Sequence, residues 1–495
     1  MAASQETSAH EAGTGDAPAP AHNPKKIGLL GLVAVVISAM VGGGIFNLPA
    51  SVAANASAGA ILLGWVITGV GMWFVVSMFR MLAVERPDLT NGLFAYAKEG
   101  FGRIWGFIVA YGYWICSCCA TAVYGILVMA TVGTFLPEFK EGITLPALIG
   151  ASVITWIMFA IALRGPKTTS VINLIGTVCK IIPLIIYVVA FASIFNLDTF
   201  MSHLWGMGEQ LDASFNWGSV GPQVMSTLLV TLWVFIGVEG AVVISGQADS
   251  QKDVARATTG GFLGTLVLYV VATLLPFGVL NQGEIAGLAN PSVAEMMEMV
   301  FGTVGARIIS VGVFISVLSS WLAWTLMLGQ MPTSAAESEV FPPQFKKRNR
   351  YGAPVNSLIL TSCSTQALLI FSYVAGSSAW LTIIAVTSVM ALPCYLCCTL
   401  FLVRESRSPR WDTSLFSRRY ATIVGVLGVM FALFMIVAAG LDNLLLASGL
   451  YALGLILFFL SVKHTNKPMT MHEKAVCLVI LGLAVVAVTR FFLSL

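Results

Sequence analysis

Apolar residues run along this chain in long blocks separated by short polar connections. A helix crossing a membrane needs about 20 mostly apolar residues. Blocks near that length or longer occupy 27–56, 59–83, 103–135, 145–163, 168–195, 222–247, 259–281, 305–331, 355–375, 379–403, 421–440 and 443–462, and 475–493 is the candidate for a thirteenth. Several exceed the minimum, which leaves room for tilt or a break. The pattern predicts an all-α polytopic membrane protein with twelve spans, or thirteen if the last block crosses. Residues 1–24 are rich in Ala, Pro and polar residues around no apolar centre, and read as a disordered tail rather than a signal peptide. The longest polar connections are 196–221 and 332–354.

Two blocks are interrupted where a helix should be most regular. The first contains VGGGIFNLP, Val41 to Pro49, with three consecutive glycines. Each glycine costs a helix roughly 1 kcal/mol relative to alanine. A bilayer tolerates loosened backbone only where protein or a watery cavity satisfies it. Span six contains TLWVFIGVEG, Thr231 to Gly240, with Gly237, Glu239 and Gly240. Breaks in spans one and six fit two five-helix repeats of inverted topology, 27–195 and 222–403, followed by two helices over 421–462. The repeat is inferred from position, because the halves share no visible sequence.

Each break frees backbone groups. The N–H groups and dipole of a half-helix after Gly44 suit a carboxylate. Carbonyls around Ile236 suit an ammonium. Together they match the head group of an α-amino acid, which makes Gly42, Gly43, Gly44, Ile45 and Ile236 candidate substrate-binding residues. The alternative is glycine for close helix packing, common in membranes.

Composition agrees with the pattern. Charged residues are 10% and apolar residues 57%, against about 25% and 45–50% in soluble proteins. A net charge of +3 is too small to point to nucleic acid. Lys25 and Lys26 precede span one. Arg86, Lys98 and Arg103 follow span two; Arg164 and Lys167 follow span four; Lys252 and Arg256 follow span six. Lys346, Lys347, Arg348 and Arg350 follow span eight, and Arg404, Arg407, Arg410, Arg418 and Arg419 follow span ten. All fall on one side, with Lys140 the main exception opposite. The expectation is a multi-pass protein of the plasma (inner) membrane with a cytoplasmic N-terminus. A thirteenth span would carry the C-terminus outside.

Two charges lie inside spans. Glu239 sits mid-span, where a lone carboxylate costs about 2.5–3.5 kcal/mol on insertion scales and usually serves a function. Burial disfavours its charged form, so it is a candidate for gating or proton coupling. Alternatively it caps N–H groups of the unwound stretch. Lys180 lies about 12 residues into span five, roughly 18 Å along a helix. Its ammonium can stand in for a metal cation among carbonyls, bridging spans one and eight and removing the need for sodium. The alternative is an internal ion pair. Trp233 and Trp324, and Tyr113, Trp114 and Tyr124 of span three, lie near the breaks. Their faces would favour a cationic side chain, while packing is the plainer role for any one of them.

Cys116-x-Cys118-Cys119 and Cys394-x-x-Cys397-Cys398 have no accompanying histidine and read as packing residues rather than metal ligands. No cofactor is expected. GxxxxGK[ST], HExxH and GxSxG are absent, so neither an NTP-driven pump nor an enzyme is indicated. Transport down a gradient or by exchange is.

VGGGIFNLP, LWVFIGVEGA and the stretch from Gly329-Gln330 through SEVFPPQFKKRNRYGAPVNS resemble the amino acid–polyamine–organocation superfamily. The likeness runs from about residue 27 to 462. LVTLWVFIGVEGA, FGRIWGFIVAYGYWI and KIIPLIIYVV are most similar to the basic amino acid/polyamine antiporters, in particular arginine/ornithine exchangers. The resemblance implies a LeuT-type five-plus-five inverted repeat with helices one and six discontinuous, working by rocking alternating access. It implies that Gly42, Gly43 and Gly44 bind the substrate carboxylate, that Trp233 closes over the substrate, and that Trp324 lines its side-chain pocket. It implies a gating and proton-sensing role for Glu239 and a sodium-replacing role for Lys180, although related arginine/agmatine antiporters lack that lysine; Tyr113 is a further candidate for gating or proton coupling. Where those antiporters hold the guanidinium with an asparagine, this chain has Thr121, with Tyr124 one turn on.

The expected activity is sodium-independent exchange of arginine for ornithine. The rival expectations are arginine/agmatine exchange and proton-coupled symport of basic amino acids; a receptor or channel is more distant. Expected partners are these small molecules, lysine among them, and the lipid bilayer. A homodimer is a candidate assembly.

Overall fold

The computed structural model describes residues 28–89, 93–243, 249–465 and 467–494. The expected tail, Lys25 and Lys26, and the end of the sixth block at 244–247 lie outside them. The described residues are helical, in the order α1 Leu29–Met40, a 3-10 turn Gly43–Phe46, α2 Leu48–Ala53, α3 Ala58–Glu85, α4 Leu93–Phe101, α5 Arg103–Gly133 and α6 Leu145–Ala162. Then come α7 Pro166–Ile194, α8 Leu197–Ser202, α9 Trp217–Trp233, α10 Gly240–Val243, α11 Gln251–Leu274, α12 Gln282–Ala286 and α13 Ser292–Glu337. The chain ends with α14 Val355–Ala375, α15 Ala379–Glu405, α16 Arg418–Ala438, α17 Gly440–Thr465 and α18 Met471–Ser494. Ten of these are long and apolar enough to cross a membrane. Spans one and six are each split into shorter pieces, and span five is α7.

Helix pairing repeats between the halves. Span one packs on span seven (α1 on α11), and span six on span two (α9 on α3). Span five packs on span eight (α7 on α13), and span ten on span three (α15 on α5). Each pair becomes the other when five is added to or subtracted from its span numbers. Five spans per half is odd, so the second half runs inverted. This is the expected LeuT-type arrangement with discontinuous helices one and six. The span-three helix α5 lies at its centre and is almost wholly buried.

Three features depart from the hydrophobic pattern. Helix α4 is too short to span and lies between spans two and three. Helix α13 begins at Ser292, well before the apolar block at 305, and bends at Gly302, where φ is +69°. The last block forms α18, which packs on α17 and otherwise faces outward.

Connections on the α4 side bond to one another. Lys98 Nζ donates to the Ser338 carbonyl at 2.6 Å and Asn349 Nδ2 to the Leu163 carbonyl at 2.8 Å. On the opposite side Ser57 N donates to Gln223 Oε1 at 2.9 Å, Gly59 N to the Leu204 carbonyl at 2.7 Å, and Gln282 Nε2 to the Ala53 carbonyl.

Candidate functional site

The two breaks meet. Helix α1 stops at Met40, and Gly42 N turns back to donate to the Met40 carbonyl at 2.7 Å. The 3-10 turn then leaves the Gly43 and Gly44 N–H groups with no acceptor among the described residues. The glycines are there for room. A Cβ on Gly42 would overlap the Tyr124 hydroxyl, one on Gly43 would come within 2.8 Å of Leu127, and one on Gly44 would overlap the Trp233 indole. In span six the helix is lost between Trp233 and Gly240. Gly237 has φ +109°, and a Cβ there would sit 2.9 Å from the Ala39 carbonyl carbon. Only glycine combines that φ with that approach.

A residue the sequence reading missed ties the breaks together. The buried Tyr269 hydroxyl, on α11, lies 2.7 Å from the Met40 carbonyl and 2.9 Å from the Val234 carbonyl. It has one proton for the two freed acceptors. The available signal was a tyrosine in the middle of an apolar span.

Between the breaks is a closed cavity of about 30 Å³, lined by Ala39, Met40, Gly42, Gly44, Ala120, Tyr124, Trp233, Val234, Ile236 and Trp324. Six of the expected binding residues, Gly42, Gly44, Tyr124, Trp233, Ile236 and Trp324, are thus gathered around one space. Gly43 turns toward Leu127, Tyr124 and Val317. Ile45 is buried in the turn. Thr121 points elsewhere: its Oγ1 donates to the Cys118 carbonyl at 2.8 Å and lies 3.0 Å from Thr365 Oγ1 on α14. Ala120, its neighbour, faces the cavity instead. The cavity is far below the roughly 300 Å³ of a small-molecule pocket, so Trp233 or its neighbours must move for a ligand to enter. Trp233 is braced edge-on by Trp380, with ring centroids 6.2 Å apart and planes at 82°.

Glu239 is fully buried at the end of the span-six break. Its Oε1 accepts from Gly237 N at 3.0 Å and from the Tyr113 hydroxyl. The carboxylate therefore does cap the unwound backbone, and the same oxygen ties span six to span three. Oε2 has no hydrogen-bond partner among the described residues, and neither has the buried Tyr395 hydroxyl on α15. Tyr395 was not singled out from sequence, since a tyrosine in a long apolar span looks like packing.

Lys180 is also buried. Its Nζ donates to the Ser38 carbonyl at 3.0 Å and to Ser38 Oγ at 2.8 Å. It holds span one next to the break. Among the described residues none of its hydrogen bonds reaches span eight, and no carboxylate pairs with it. The cation thus rests on a carbonyl and a hydroxyl, groups that also suit a metal ion.

The two broken helices thus meet with unpaired backbone beside a cavity. A profile of the amino acid permease family matches residues 27–460. The chain belongs to that family. The permease is 43% identical to a protein of Clostridium perfringens named as an amino-acid transporter, over 94% of this chain and 98% of that one. It is 40% identical to proteins named arginine/agmatine antiporter from Chlamydia felis (95% of this chain, 96% of that one) and Chlamydia pneumoniae (95% and 97%). The permease is thus a multi-pass membrane transporter of the amino acid–polyamine–organocation superfamily.

Proposed function

We propose that the permease is an arginine antiporter of the plasma membrane, with its N-terminus and α4 on the cytoplasmic side, working by alternating access without sodium. The observation that carries this reading is the likeness, over nearly the whole of both chains, to proteins named arginine/agmatine antiporter. The unpaired Gly44 N–H would take the substrate carboxylate, and the Ile236 end of the span-six break its ammonium. Tyr124, Trp233 and Trp324 would offer π faces to the guanidinium. The halves 27–195 and 222–403 would rock about this site. Tyr113 and Glu239 would gate it, and Lys180 would replace sodium. No carboxylate is among the described residues that line the cavity, so this reading assigns the guanidinium to the aromatic faces.

Two counter-substrates divide the reading. Ornithine carries the same single net charge as arginine, so exchange moves no charge. Agmatine carries two positive charges and is favoured by the names of the chlamydial relatives. Labelled arginine uptake into proteoliposomes loaded with ornithine, agmatine or nothing decides between them. Uptake is expected only in loaded vesicles, unaffected by membrane potential with ornithine and driven by it with agmatine. Uptake into empty vesicles that collapses with the pH gradient would overturn antiport.

A further inference from the structure

The span-one break continues outward into Asn47, a buried side chain that the binding site does not use. Asn47 N donates to the Gly44 carbonyl at 3.1 Å. The Asn47 carbonyl accepts from Ser51 N at 3.1 Å and from Ser51 Oγ at 2.9 Å. Its side chain leaves span one altogether: Oδ1 accepts from Ser292 N at 2.9 Å, 245 positions along the chain. Ser292 opens α13, and the residue before it is Pro291, which supplies no side-chain cap. The helix 292–301 takes its N-terminal cap from the broken span.

A second route returns to the cavity. Ser51 Oγ accepts from Trp380 Nε1 at 3.0 Å, Trp380 meets Trp233 edge-on, and the Trp233 indole lies against Gly44. Gly44, Asn47, Ser51, Trp380 and Trp233 therefore close a ring, and Ser292 hangs from it. The segment 279–301 also borders a second cavity of about 330 Å³ on the side opposite α4. That cavity is lined by Asn47, Ala50, Ser51, Trp380 and the stretch Ala286–Asn290, among others. At its far end the segment joins the rest of α13 through the positive-φ bend at Gly302.

We infer that Asn47 is a positioning residue that couples occupancy of the Gly44–Trp233 cavity to closure of segment 279–301 over the outer cavity. This rests on the reading of the inner cavity as the substrate site and of the side opposite α4 as external. The inner cavity is too small for an amino acid, so binding must displace Trp233 or the Gly44 turn. Either displacement reaches Asn47, through Ser51 or through the Gly44 carbonyl. The Ser292 bond passes it to the segment.

The donor in this bond is backbone, and that allows a clean test. Ser292→Pro deletes the N–H at a first helical position, where proline is well tolerated. Pro291 is already extended (φ −82°, ψ 123°), as a residue before proline must be. Ser292→Ala keeps the N–H. Asn47→Leu deletes the acceptor, and Asn47→Asp keeps one. Each is combined with Ala50→Cys, a reporter on the outer cavity, labelled by a membrane-impermeant maleimide with and without arginine and read by intact-protein mass. Arginine affinity is measured in parallel by tryptophan quenching.

Arginine is expected to slow labelling in the reporter protein, in Ser292→Ala and in Asn47→Asp. Ser292→Pro and Asn47→Leu should lose about fivefold of that protection, the shift that one lost hydrogen bond can impose, while affinity changes less. Protection in Ser292→Pro equal to that of the reporter protein overturns the inference. So does loss of protection only in step with loss of binding, or a reporter that no exchanged substrate protects. If arginine fails but another exchanged amino acid protects the reporter, the arginine proposal falls and the coupling is judged with that substrate.

Discussion

Gly44 owes its identity to a neighbour 189 positions away in the chain, since a Cβ there would collide with Trp233. Overpacking of that kind costs about 1–3 kcal/mol. Gly44→Ala is therefore expected to lower arginine exchange by about tenfold with little change in melting temperature, as proteoliposome flux and a thermal melt in detergent would show. Glu239→Gln keeps an acceptor for Tyr113 and Gly237 but cannot titrate. Under the gating proposal it should flatten the pH profile of exchange, and an unchanged profile would leave Glu239 with only its capping role. Lys180→Ala removes the donor to Ser38 beside the break, and losing a hydrogen bond from a charged group costs about 1.5–3 kcal/mol. Exchange should be lost, or should become dependent on added sodium; full activity without added ions would make the lysine merely structural. The glycines, Glu239 and Lys180 stood out in the sequence because each violates what an apolar span wants, whereas Trp233 and Trp324 were singled out for their place near the breaks and by the resemblance. Thr121, singled out by the resemblance, turns its hydroxyl to Cys118 and Thr365, and its neighbour Ala120 lines the cavity. Tyr269, Tyr395 and Asn47 are ordinary in sequence and acquire meaning only from what they touch.

At the scale of elements, the last helix is held by a partly buried ion pair. Arg103 Nε lies 3.0 Å from Glu473 Oε1, with side chains 13% and 7% exposed, and Arg103 NH2 donates to Glu473 Oε2 at 3.0 Å. This bidentate pair fixes the start of α18 to the start of α5. Breaking one side of a buried pair costs about 3 kcal/mol, whereas replacing both sides with apolar residues is often neutral. Arg103→Leu alone should lower the melting temperature clearly, and Arg103→Leu with Glu473→Leu should recover most of the loss. A double-mutant cycle in detergent measures the coupling. Block lengths located nearly every span, because a bilayer demands about 20 apolar residues. They missed α4 and the start of α13, since short helices that lie across other helices carry no such length requirement.

At the scale of the whole molecule, charged groups gather around Arg86 on the α4 face. Arg86, only 6% exposed, lies 2.8 Å from Asp88, 3.3 Å from Glu405 and 3.7 Å from Glu99. The hydrogen bond from Arg86 holds the Asp88 carboxyl below the usual carboxylate range. A carboxylate depressed on folding contributes stability above its unfolded value, near 3.9, and loses it as pH falls through the folded value. Stability should be level from neutral pH to about 5 and fall below about 4, and Asp88→Asn should remove part of that fall. The part is small, within about 1 kcal/mol, because Asp88 is 57% exposed. What the sequence determined by itself was everything the bilayer enforces: the apolar blocks, the sidedness of lysine and arginine, and the two places where a span gives up its helix. Those follow from the cost of unmet polar groups in hydrocarbon, which acts on each span separately. Only the tertiary structure decided which side chains meet at the breaks. A helix shows one face to the site and others to its neighbours, and a one-residue difference along it turns a binding group into a packing group. The bond from Asn47 to Ser292 and the bridge of Tyr269 between Met40 and Val234 join residues hundreds of positions or several helices apart, and no local pattern announces them.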